Sequence, residues 1–181
     1  MRTEIAKAVR KIFAQKVQQE LGHFSLLPSR KIRAGDLLFR WEIRSDLNAY
    51  IYVFLSPKDN QDKFAIELAC SAGEFPLQMA RDPAVQKEGA VRFRLPQLYK
   101  DEWPKRNWEP MWEIGPHESP KEAIDRTMAL IRNPESSGSR DSLLPIEEVL
   151  PLVEPQVQDA IDRIKRYGMP FFENIARESA H

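Results

Sequence analysis

Side-chain chemistry needs titratable or nucleophilic groups brought together, and this sequence scatters them. Its three histidines are His23, His117 and His181. No two have the close spacing with which a helix presents two imidazoles to one metal ion. His23 follows an expected helix end, where a cationic imidazole meets the negative end of the dipole. His117 precedes a helix start, and His181 is terminal. Cys70 is the single cysteine. It shares an expected strand face with Phe64, Ile66 and Leu68, and an apolar setting disfavours the thiolate that a nucleophile needs. Core packing is therefore its expected role. A divalent-ion nuclease centre clusters carboxylates, usually beside a lysine. Asp46 and Glu67 are the best candidates, yet the residue two after Glu67 is Ala69 rather than lysine. Glu67 is expected to face solvent opposite Arg40 or Arg44, a cross-strand pair worth under about 1 kcal/mol. The chain has no glycine-rich phosphate loop and no Gly-x-Ser-x-Gly elbow. No catalytic residue, metal ligand or cofactor is expected.

Two groups of residues suit binding instead. Arg40, Arg44, Arg92 and Arg94 alternate with apolar residues on two expected strands and form a basic strip if they share a sheet face. With Tyr50 and Tyr52 beside them they suit single-stranded nucleic acid, whose bases stack on aromatics while phosphates meet arginines. Charges that merely keep an open sheet soluble explain the same pattern. The segment Trp103-Pro104-Lys105-Arg106-Asn107-Trp108-Glu109-Pro110-Met111-Trp112 places three tryptophans among polar residues. Tryptophan and arginine are enriched at binding hot spots, so Trp103, Lys105, Arg106 and Trp108 are candidate partner contacts. The competing role is a covering over the sheet, with Trp112 the ring best placed for the core.

These residues hang on a legible series of elements. Ile5, Val9, Ile12, Phe13, Val17 and Leu21 recur at helical spacing and predict a helix from Thr3 to Leu21, capped by Gly22. Three antiparallel strands follow: Leu37 to Arg44, Ala49 to Ser56, and Lys63 to Ser71. In the first, Phe39, Trp41 and Ile43 alternate with Arg40, Glu42 and Arg44, as expected with one face in water. The second is apolar on both faces and is expected at the sheet centre. Val91, Phe93 and Leu95 predict a fourth strand, with outward arginines suited to an edge. Trp112-Glu113-Ile114 is a short fifth. Ser119-Pro120-Lys121-Glu122 starts a helix through a capping box, which Asn133-Pro134 ends. A short helix near Ile146 to Leu150 and a longer one from Pro155 to Tyr167, capped by Gly168, precede a last helical turn.

At 181 residues, 42% apolar and 30% charged, the chain suits one soluble domain spanning 1–181, with a mobile loop at about 134–142. Fourteen prolines against seven glycines predict stiff connections. The 27 basic and 27 acidic residues cancel overall. Residues 1–33 nevertheless carry eight basic against two acidic groups, and residues 113–181 carry eight against thirteen. A neutral chain is a poor generic binder of DNA or membranes. One cysteine, no signal-peptide run and no membrane-length apolar stretch predict a cytoplasmic protein.

The ordering of Leu21-Gly22-His23-Phe24, then Leu38-Phe39-Arg40-Trp41, then two hydrophobic strands, then Tyr167-Gly168-Met169-Pro170-Phe171-Phe172 resembles the bacterial family of domains of unknown function numbered 4304. That resemblance spans most of the chain and brings no catalytic residues with it. The expected fold is α+β: an antiparallel meander of four or five strands with the N- and C-terminal helices packed on one face. The expected function is non-enzymatic binding of another protein, for example as an immunity or regulatory protein. An enzyme acting on nucleic acid or nucleotides through an unrecognised site, and a single-stranded nucleic-acid module, are the alternatives.

Overall fold

The computed structural model describes residues 1–28, 32–55, 62–76, 90–99, 111–114, 128 and 145–178. Helix α1 spans Thr3–Glu20 and buries Ile5, Val9, Phe13 and Val17, spaced four apart along one face. It stops where the Leu21 N–H bonds the Val17 carbonyl. Just beyond, Ser25–Leu26 forms a two-residue strand, β1, too short to show a period in sequence.

The sheet continues with β2 (Leu37–Arg44), β3 (Leu47–Leu55), β4 (Lys63–Ser71), β5 (Val91–Arg94) and β6 (Trp112–Glu113). Its order is β1-β2-β3-β4-β5, with β6 also pairing β4, and every pairing is antiparallel. This is the expected meander, extended by β1. β3 lies between β2 and β4, which is why its residues are apolar on both faces. A register shift between Glu42 and Arg44 interrupts the β2–β3 ladder. Such an irregularity breaks the strict alternation of side chains.

The helices cover one sheet face. Phe13 of α1 packs on Phe39 of β2 and Phe64 of β4, with ring centroids 6.0 and 6.4 Å apart. Helix α2 spans Ile146–Arg163 and buries Val149, Val153, Val157, Ala160 and Ile161. The sequence suggested two helices here, separated before Pro155. Instead Pro151 and Pro155 both lie inside one helix. Each proline removes an intrahelical hydrogen bond, but both rings are exposed while the buried valines keep a continuous four-residue spacing. Packing of that face offsets the lost bonds.

Gly168 does not cap this helix as expected. A π-helical turn, Ile164–Gly168, leads directly into helix α3, Met169–Glu178. A Cβ at Gly168 would stand 3.0 Å from Leu68 Cδ1, so the glycine lets the turn close onto β4. The expected helix from Ser119 to Asn133 and the loop at 134–142 lie outside the described residues, apart from helical Met128. No helix among the described residues is long and apolar enough to cross a membrane.

Candidate functional site

Strand alternation sends Phe39, Ile51, Val53, Ile66, Leu68, Cys70 and Phe93 into the helix-covered core. It leaves Leu38, Tyr50, Tyr52 and Ala69 as a second, smaller cluster on the opposite face, joined by Leu27, Ile32, Phe54 and Phe75. The ladder sets Leu38, Tyr52, Glu67 and Arg94 in one row across four strands. Arg40, Tyr50, Ala69 and Arg92 form the next row.

Glu67 is only 2% exposed on this face. Arg92 donates to its Oε2 from Nε at 2.8 Å and lies 2.6 Å away through Nη2. Arg94 Nε lies 3.0 Å from its Oε1. The solvent-facing position expected for Glu67 is therefore corrected, and so are its partners. Arg40 and Arg44 belong to β2, with β3 between them and Glu67; β5 is the strand beside β4. The two guanidinium groups also lie over aromatic rings. Arg92 is 4.6 Å from the Phe75 centroid and 5.4 Å from that of Tyr52, and Arg94 is 5.7 Å from that of Phe54. Arg33 approaches the Phe54 ring at 5.9 Å.

Asp36 is a second buried carboxylate on this side. The Tyr52 hydroxyl donates to its Oδ2 at 2.5 Å, and the Leu55 N–H donates to its Oδ1 at 2.9 Å. Burial pushes the Asp36 pKa up, against those two hydrogen bonds and the charge of Arg33. Burial, then the Asp36 contact, raises the Tyr52 pKa as well. Both effects favour the protonated phenol that donates to Asp36. The pair fastens the turn before β2 to the middle of the sheet.

On the same face lies a cleft of ≈ 770 Å³. Leu38 and Tyr50 belong to its floor, Leu27, Pro28 and Ile32 to one wall, and Gly73, Glu74 and Phe75 to the other. The Tyr50 hydroxyl donates to the Gly73 carbonyl, and its ring meets Phe75 edge-on at 5.6 Å. Arg40 and Asn48 also line the space. Arg40 is half-buried, and its guanidinium pairs with no group among the described residues.

The structure places Arg40, Arg92 and Arg94 on the open face but removes Arg44 from the expected strip. Past the register shift, Arg44 Nε lies 2.6 Å from exposed Asp46, and Nη1 donates to the Ala176 carbonyl of α3 at 3.4 Å. Trp103, Lys105, Arg106 and Trp108 lie outside the described residues. Trp112, by contrast, is in the core as its neighbours suggested: 3% exposed, stacked on Phe64, with Nε1 donating to Asp159 at 2.8 Å. Cys70 is 2% exposed, and burial pushes its thiol pKa to about 12. His23 stacks on Trp41 at 5.1 Å. No group of three His, Cys, Asp or Glu suited to a metal ion occurs among the described residues. Sequence reasoning missed Asp36 and Ile32, and read Phe75 only as a residue that pins the segment after the third strand. The one signal of the first two was an isolated acid or apolar residue next to a strand, which a period cannot register.

No protein-family model matches the chain, and neither a curated protein nor a solved structure shows significant similarity to it.

Proposed function

We propose that the chain is a non-enzymatic domain that binds another protein on the open face of its sheet. An immunity or regulatory protein that neutralises its partner is one concrete form. The observation that carries this is the cleft over Leu38 and Tyr50, mostly apolar with few polar groups, the kind of desolvated pocket in which an interface seats an anchor side chain of its partner. The titratable groups beside it support binding over chemistry, since Glu67 is engaged by Arg92 and Arg94, and Asp36 by Tyr52 and Leu55. Trp103, Lys105, Arg106 and Trp108 are proposed as further partner contacts on compositional grounds. Binding of single-stranded nucleic acid is less well supported, because Arg44 leaves the strip and two of the remaining arginines share a buried carboxylate.

Gly73 offers a clean test. Gly73 lines the cleft and a Cβ there meets nothing within 4 Å, so Gly73→Trp adds bulk at the lining without a clash at its Cβ. Wild type and Gly73→Trp, each immobilised, are exposed to lysate of the native host. A protein captured at fixed stoichiometry by wild type and lost from the equally stable variant is the expected result. Equal capture by both would remove the open face from the proposal.

A further inference from the structure

We infer that the cleft selects a partner segment carrying an acidic side chain next to an apolar one, with the carboxylate on Arg40 and the apolar group over Leu38. This rests on the protein-binding function proposed above and names its ligand chemistry.

The cations on this face differ in what already occupies them. Arg92 and Arg94 are held by Glu67, and Arg33 lies over Phe54. Arg40 differs: it is half-buried, lines the cleft, and has no partner among the described residues. Its cross-strand neighbours are Tyr50 and Ser25. Neither offers it an anion, because the Tyr50 hydroxyl is engaged by Gly73 and the Ser25 hydroxyl by the Arg40 carbonyl. A partly desolvated guanidinium gains most from a carboxylate, which it grips through two parallel N–H donors. The rest of the lining asks for an apolar group, since Leu27, Ile32, Leu38 and Phe75 all contribute to it.

Arg40 sets the number of anions, because it is the one cation among the described lining residues. A single carboxylate matches it, whereas the further phosphates of a polyanion such as nucleic acid meet no second cation in that lining. The source of that carboxylate also follows. Chain-terminal carboxylates are typically captured by nests of backbone N–H groups. Here the Leu27 N–H is spent on the Leu38 carbonyl, and the cation offered is a side chain. An internal Asp or Glu is the matching group.

The test uses a random peptide library displayed on phage, with wild type, Arg40→Gln and Gly73→Trp as targets, followed by calorimetry on the enriched peptides. Wild type should enrich peptides with Asp or Glu adjacent to an aromatic or aliphatic residue. Arg40→Gln, at unchanged melting temperature, should weaken those peptides by about 10- to 100-fold, the worth of a charge-assisted hydrogen bond. Replacing the peptide acid with Asn or Gln should weaken binding to wild type equally and leave the affinity of Arg40→Gln unchanged. Enrichment of apolar peptides without an acidic preference, blocked by Gly73→Trp, would overturn this inference and leave protein binding standing. Dependence on a free C-terminus, or displacement of peptide by oligodeoxythymidine at matched salt, would assign the cleft to a different ligand. No enrichment above Gly73→Trp would overturn both the inference and the function it rests on.

Discussion

Glu67→Gln removes one charge and almost no volume from the most buried acid on the open face. In wild type that carboxylate faces two guanidinium groups through contacts of 2.6, 2.8 and 3.0 Å. Gross attraction at an effective dielectric near 20 is about 4 kcal/mol per pair at 4 Å, much of it cancelled by desolvation. Removing one partner of a fully buried pair costs about 3–5 kcal/mol, because the opposite charge is left stranded. Here the side chains of Arg92 and Arg94 retain 14% and 26% exposure against 3% for Glu67. Water therefore recovers part of the loss, and solvent screening lowers it further. The expected cost is about 2–4 kcal/mol, read from urea unfolding at neutral pH with an unchanged m-value. Adding Arg94→Met to the Gln variant should restore part of it, since the methionine can stay on Phe54 while one stranded charge disappears. A loss below about 1 kcal/mol would show that this cluster behaves as an ordinary surface pair and would refute the reasoning.

Three further outcomes separate the two faces. Val53→Ala, at a fully buried core position, should cost about 1.5–3 kcal/mol, whereas Phe54→Ala, on a half-buried ring under Arg33 and Arg94, should cost less; chemical denaturation of both variants decides, and equal losses would contradict the assignment of faces. The Cys70 thiol, buried with its pKa near 12, should resist iodoacetamide in native protein and react only once the chain is unfolded; rapid native alkylation, followed by mass spectrometry, would show otherwise. Asp36, whose folded pKa is raised, holds its proton more tightly folded than unfolded. Its contribution to stability is thus full below the ordinary carboxylate value of about 3.9 and is lost as pH rises through the raised value. Wild type should lose stability relative to Asp36→Asn across that interval, and unfolding curves at stepped pH showing the opposite slope would overturn the assignment.

The sheet was legible because its central strands obey a two-residue period backed by a core. Phe39, Trp41 and Ile43 announced one face, and the doubly apolar β3 announced its central place. Short elements were not legible: Ser25–Leu26 carries no period, and only its pairing with Phe39 and Arg40 makes it a strand. Pro155 misled for a physical reason. Local propensity counts a lost hydrogen bond, whereas Val149, Val153 and Val157 supply the burial that outweighs it. On the candidate site, residue types were visible but partnerships were not. Arg92 and Arg94 read as outward charges because nothing in sequence shows that β5 lies beside Glu67 rather than beside β2. The displacement of Arg44 depends on a single register shift, which alternation by itself cannot reveal.

Because the sheet divides its packing unequally, its two sides should open separately. The helix side holds a large cluster running from Ile5 through Ile175, while the other side rests on Leu38, Tyr50, Tyr52 and Ala69. Proteins open in cooperative units whose free energies follow their buried contacts. The turn at Asp36 and the wall beginning at Leu27 can therefore detach from β2 and β3 without melting the helices. In hydrogen exchange, the Leu27 and Leu55 amides, bonded to Leu38 and Asp36, would exchange through this smaller opening, and amides within α1 and α2 only through global unfolding. A ligand seated between those walls would act as a brace on the weaker unit. It would slow exchange there selectively, gaining order at the site while leaving the rigid half of the molecule unchanged.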